Sequence, residues 1–150
     1  MTDTTRRGFP DLWVDPEDDP RRQWSRPAGE LETHWHYLRA YRATIELKCD
    51  GLDADQLARR SVPPSTLSLL GLVRHLARVE HHWFRRVLQG QAQLDGLYQT
   101  PQDPDADFTG AVADPQLPVR DVLEHLVEEY VRHAGHADLL RECIDGCTGQ

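Results

Sequence analysis

From Val119 onward the chain steps by threes and fours through Val122, Leu126, Glu129, His133, His136, Leu140 and Cys143. That is a seven-residue repeat of the positions a helix turns toward its neighbours in a bundle. The two ends of the repeat are apolar, whereas an acid and two imidazoles occupy its middle. A carboxylate set into a bundle interior without a partner is strongly unfavourable. The segment therefore demands a helical neighbour for its apolar ends and a compensating charge for its centre.

The rest of the sequence supplies helices to meet it. A first helix is expected from about Gly29 to Cys49, with Leu31, Trp35, Leu38, Ile45 and Cys49 on its inner face and Gly51 at its C-terminal end. A short helical turn follows over Asp53 to Arg59. Past Pro63-Pro64, Ser65 or Thr66 can cap a second long helix that runs to Leu88 and stops before Gly90. Its stripe is Leu69, Leu72, Leu76, Val79 and Trp83. The last helix begins after Pro118 and runs to about Ile144. Residues 101 to 118 hold four prolines and four aspartates, which leaves no room for a helix of useful length. Residues 1 to 28, with Pro10, Pro16, Pro20 and Pro27, read as an extended arm anchored by Trp13 and Trp24. No segment alternates cleanly enough for a strand. The expectation is an all-α chain, with an arm over 1–28 and one helix-bundle domain over 29–150.

Composition narrows the function classes. At 150 residues, 39% of them hydrophobic and 28% charged, the chain has the make-up of one soluble globular domain. A formal charge of -8 argues against nucleic-acid and anionic-membrane partners, both of which call for basic patches. The apolar run around Leu67 to Val73 is too short to cross a bilayer. Met1 to Pro10 lacks the apolar core of a signal peptide, and Cys49, Cys143 and Cys147 read as free thiols in a reducing cytoplasm. Cys143 and Cys147 are taken as small apolar filler and not as metal ligands.

The chemistry gathers on two helices. Glu129 and His133 are four apart, so their side chains project side by side. His75, between Leu72 and Val79, lies on the inward edge of the second helix. One imidazole from one helix and an acid–imidazole pair from another would bind one cation and leave a coordination position open, as in catalytic sites. His125 and His136 are candidates for supporting roles beside the ligands. A hydrogen-bonded core histidine, or a plain Glu129–His133 ion pair, fits the same spacing. His34, His36, His81 and His82 read as partly exposed, although His34 and His82 could approach the core. No P-loop, G-x-S-x-G, H-E-x-x-H or dinucleotide fingerprint is present.

Thr66 to Gly90 (TLSLLGLVRHLARVEHHWFRRVLQG) and Glu124 to Gly146 (EHLVEEYVRHAGHADLLRECIDG) resemble the DinB superfamily, and within it an actinobacterial branch of unknown function, the mini-circle protein family. The runs DLWVDPEDDPR near the start and GLDADQLARR after the first helix fit the same branch. The resemblance implies an up-down helix bundle holding one divalent metal ion, zinc first and nickel or iron as alternatives. It implies ligands at His75, Glu129 and His133. Characterised members of that superfamily include thiol-dependent S-transferases and a mycothiol-dependent maleylpyruvate isomerase with a similar pair of histidines and one glutamate. The expected function is thus a metal-dependent transferase that puts a low-molecular-weight thiol, mycothiol-like, onto a small electrophilic substrate. The alternative is a non-catalytic metal-binding or small-ligand-binding stress-response protein. The usual third helix of the superfamily is expected to be shortened or absent here. The arm with Trp13 and Trp24 could cover the apolar groove this leaves, or a second subunit could, and the dimers common in the superfamily favour a homodimer.

Overall fold

The computed structural model describes residues 12–22, 25–95, 97–98 and 118–149, and among them every regular element is helical. The chain folds as an all-α, DinB-like bundle. Helix α1 spans Glu30–Cys49, a short α2 spans Ala54–Ala58, α3 spans Leu69–Glu80, and α4 spans Val119–Asp145. Trp24 and residues 101–117, with the expected loss of a third helix there, lie outside the described residues.

Local chemistry sets the boundaries. Asp53 and Gln56 cap α2 reciprocally, each side chain accepting from the other residue's backbone N–H. The start of α3 corrects the expected cap: Ser68 accepts from the Gly71 N–H at 3.1 Å, while Ser65 spends its hydroxyl on the Leu67 N–H. The helix therefore begins at Leu69, two or three residues later than a cap at Thr66 or Ser65 would start it. It reaches Leu88 as expected, but its last two turns, His81–Leu88, are π-helical, and the Gln89 N–H closes back on the Phe84 carbonyl. Gly146 ends α4 in the left-handed conformation (φ 77°), which a glycine adopts without steric cost.

Packing follows from which positions are buried. Leu69, Leu72, Leu76, Val79 and Trp83 all face the core, as the stripe on α3 requires. On α1, Leu38 and Ile45 are buried, whereas Leu31 and Trp35 are exposed. Those two occupy the first turns of the helix, where Trp35 meets the edge of Phe84 and the Arg42 guanidinium. Cys143, likewise expected inside, is exposed near the end of α4. The buried face of α4 instead runs through Val122, Leu123, Leu126, Tyr130, Ala134, Ala137 and Leu140. The largest helix interface joins α1 and α4. Glu30 meets Arg120 at their N-terminal ends and Lys48 meets Asp138 toward their C-terminal ends, so these two helices run parallel. Helix α3 runs antiparallel to both.

Polar contacts fasten the three long helices together. Glu80 of α3 accepts two hydrogen bonds from Arg42 of α1, each 2.7 Å, and one from the Tyr130 hydroxyl of α4 at 2.6 Å. Burial and the Glu80 acceptor together push the Tyr130 phenol well above its ordinary pKa, so it stays a donor. At the other end, Arg141 donates to the Lys48 and Asp50 carbonyls at the C-terminal end of α1 and pairs with Asp145. Lys48 is buried, bonded to Asp138 at 2.8 Å and to the Gly149 carbonyl. Trp13 covers both cations, 4.0 Å from Lys48 Nζ and 4.9 Å from the Arg141 guanidinium. A side chain at position 149 would meet the Leu12 backbone at 2.9 Å, so glycine lets the two chain segments touch.

Replacing Glu80 by alanine strands a guanidinium and a buried hydroxyl, and is expected to cost about 3 kcal/mol of unfolding free energy. Tyr130→Phe leaves the Arg42–Glu80 pair intact and should cost only about 1 kcal/mol. Urea unfolding of the two variants checks the order; equal losses would show that Glu80 does not join all three helices.

Candidate metal centre

The antiparallel pairing of α3 with α4 brings His75 opposite Glu129 and His133. His75 Nε2 lies 3.3 Å and His133 Nε2 3.4 Å from the same oxygen, Glu129 Oε2. The two imidazoles meet edge to face with centroids 4.7 Å apart. One ligand atom from each of the three residues lies within 4.8 Å of the others. Two donors held at about 2.0–2.2 Å from a tetrahedral ion stand about 3.3–3.6 Å apart. The separations of 3.3 and 3.4 Å match that edge length and exceed the usual length of a charge-assisted hydrogen bond. The donor set, two imidazole nitrogens and a carboxylate oxygen, is one that zinc, nickel or iron accepts.

The surroundings fix each donor. Side-chain exposure is 25% for His75, 20% for Glu129 and 13% for His133, so all three are half-buried on the wall of a cavity of about 670 Å3. His136 Nδ1 lies 3.2 Å from His133 Nδ1, which leaves the Nε2 edge of His133 turned toward Glu129. His125 Nε2 stands 3.9 Å from the second oxygen, Glu129 Oε1, and its ring packs on Trp83 at 5.4 Å. His136 thus adjoins His133, and His125 adjoins Glu129. On His75, Nδ1 lies 3.3 Å from Arg78 Nη2; a guanidinium only donates, so this ring nitrogen accepts and the proton of a neutral His75 sits on Nε2. A cation held at Nε2 would have to displace that proton.

Electrostatics favour deprotonated donors. Burial raises the Glu129 pKa, but the hydrogen bond from His75 and the charges of His75, His125 and His133 outweigh it and hold the carboxyl below its usual range. Burial, reinforced by His75, drives His133 down to about 4. Glu129 is thus anionic and His133 neutral at neutral pH, the forms a metal would require.

Three neighbours of the centre were not apparent from the sequence: Arg74, Arg78 and Arg132 line the cavity. His82, which could approach the core, lines it too; its Nε2 is buried without a hydrogen-bond partner among the described residues, and burial lowers its pKa. Helical spacing held the signal: Arg78 is three residues after His75, and Arg132 three after Glu129. Such arginines ordinarily read as solvated surface. His34 spends its Nδ1 on the Glu30 carbonyl and stays away from the centre.

A family model described as mycothiol-S-transferase matches residues 33–115 and 109–146 of the chain. Comparison with curated proteins and with solved structures gives no match.

In the metal-free protein, His133 is expected to titrate near pH 4, measurable by NMR of its ring protons. Its folded pKa lies below the 6.5 of a free imidazole, so the unfolded chain binds the proton first. Stability should accordingly fall as pH drops from about 6.5 toward 4. His133→Gln should remove that part of the slope, and a midpoint near 6.5 in the folded protein would contradict the burial.

Proposed function

Because the chain belongs to the mycothiol-S-transferase family, a DinB-like family, we propose that it is a metal-dependent transferase that moves a low-molecular-weight thiol of the mycothiol type onto a small electrophile. The observation that carries this reading is the convergence of His75, Glu129 and His133 on the wall of an open cavity. These three side chains would hold one divalent cation, zinc first, and leave a further position for the thiol sulfur. Once bound, the cation supplies a Lewis acid that lowers the thiol pKa.

The chain's own residues would do the rest. His125 would accept the thiol proton at Nε2, helped by the Glu129 carboxylate beside it. His136 would keep His133 oriented through their Nδ1 contact. Trp83, packed on His125, would keep water from the inner wall. The sulfur then forms its bond to the electrophilic carbon, and the leaving group departs with the electron pair of the bond that breaks.

The wider proposal includes a homodimer, on the strength of the superfamily resemblance, and a cytoplasmic setting, which free Cys49, Cys143 and Cys147 support. Among the described residues no helix is long and apolar enough to cross a membrane. A charge of -8 disfavours nucleic acid as a partner.

Elemental analysis of the purified chain should find one zinc, nickel or iron per subunit. His133→Ala should weaken zinc binding, read by chelator competition, by more than the roughly 10- to 100-fold typical of losing a supporting residue. Transfer from mycothiol to a generic chloroaromatic electrophile should require the metal and vanish in the same variant. Tight zinc binding without turnover would instead favour a non-catalytic metal-binding protein, and no metal binding at all would defeat both readings.

A further inference from the structure

Most buried or half-buried cations among the described residues come with an acid. Lys48 has Asp138, Arg141 has Asp145, Arg42 has Glu80 and Arg21 has Asp19. Two do not: half-buried Arg86, which reaches the Ala92 carbonyl, and the more deeply buried Arg78 on the cavity wall. Arg78 is 8% exposed, yet among the described residues no carboxylate lies within ion-pair distance of it. One nitrogen meets the His75 ring, and its Nε is buried with no hydrogen-bond partner. A buried guanidinium left in that state is costly, and something has to offset it.

Arg78 lines the cavity beside the metal centre. Arg74 stands one turn earlier on α3, and Arg132 faces them from α4; both are exposed and line the same cavity. Glu129 is the one carboxylate among the described lining residues, and its two oxygens are already turned to imidazoles. An acidic chain of charge -8 thus concentrates three guanidiniums around one acid in a single concave site. Low-dielectric walls focus such a field on what enters. A planar guanidinium with a free N–H edge matches the paired oxygens of an organic acid. The volume of about 670 Å3 suits a small molecule.

We propose that Arg78, with Arg74 and Arg132 at the rim, forms an anion subsite, and that the electrophile this cavity takes is a small organic acid: a carboxylate, sulfonate or phosphonate. The free Arg78 edge grips the acid group, and the remainder of the molecule lies toward His75 and Glu129, where the thiol would be. This deepens the transferase reading and rests on it for the word electrophile. The test reads binding alone, so a failed transfer assay and a failed anion titration are separate results.

The probe is benzenesulfonate, a poor metal ligand, compared with methyl phenyl sulfone, which has the same ring and sulfonyl group without the charge. Calorimetric titration of the full chain, zinc-loaded and metal-free, should show the sulfonate bound at least about tenfold tighter in both forms. Arg78→Gln should abolish that preference and leave the sulfone unaffected. Arg74→Gln combined with Arg132→Gln changes only exposed positions, so it should fold normally and still reduce the preference about threefold or more. It decides the matter if Arg78→Gln does not fold. Equal binding of the two probes overturns the proposal. So does a preference that survives the arginine substitutions, or one that appears only with zinc and ignores them, which would mean the sulfonate sits on the metal.

Discussion

The antiparallel register of α3 on α4 is fixed by polar pairs more than by the leucines between them. Apolar stripes of similar residues tolerate a slide of one helical turn, about 5.4 Å, because one leucine can replace another. Polar pairs do not. Glu80 must reach Tyr130, His75 must reach Glu129 and His133, and Trp83 must lie on His125. Numbers fall along α3 as they rise along α4, and all these contacts agree on one alignment. Since Glu80 is also held by Arg42, the same alignment places α1. The donors converge because the bundle has only one way to satisfy its inward-facing charges.

Charge is distributed unevenly along that framework. Toward the C-terminal ends of α1 and α4, Lys48 and Arg141 are fully engaged with carboxylates, carbonyls and the Trp13 ring. Their burial closes that end and binds the N-terminal segment to the C-terminal one. In the last turn of α3 the arrangement is reversed: Arg78 is about as buried as Arg141 but has no acid among the described residues, and it opens onto a cavity. A saturated cluster has nothing left to offer a ligand, whereas an unsaturated one retains its field. The contrast separates the end that stabilises the fold from the region that can recognise something.

Much of the fold was legible because the signals were periodic. The stripe on α3 and the glycine stops at Gly51, Gly90 and Gly146 follow directly from helix geometry, and all three glycines adopt positive φ. His75, Glu129 and His133 stood out since acids and imidazoles on inward positions call for a partner. Leu31, Trp35 and Cys143 were misjudged for a shared reason. Each continues its helix's stripe near an end, where periodicity persists but the neighbouring helix no longer covers it. Lys48 and Arg141 were missed since charged residues default to solvent, and only the approach of distant segments such as Leu12 and Gly149 makes their burial favourable. The cavity arginines share that limitation: which exposed-looking residue lines a cleft depends on the gap between two helices, and no single helix encodes it.

The heptad reading of α4 fails at one informative place. Its buried line passes through Leu126, Tyr130 and Ala134, so Glu129 and His133 each sit one residue to the side of it. One residue is about 100° of rotation, which moves a side chain from the centre of an interface to its shoulder. On the centre line, donors would be enclosed on every side, and any ion there would be closed to exchange as in structural sites. On the shoulder they rest against the core on one side, which restricts their rotamers, and face the cavity on the other. The sequence pattern that put these two residues in the core was off by the same displacement that gives them access to a small molecule.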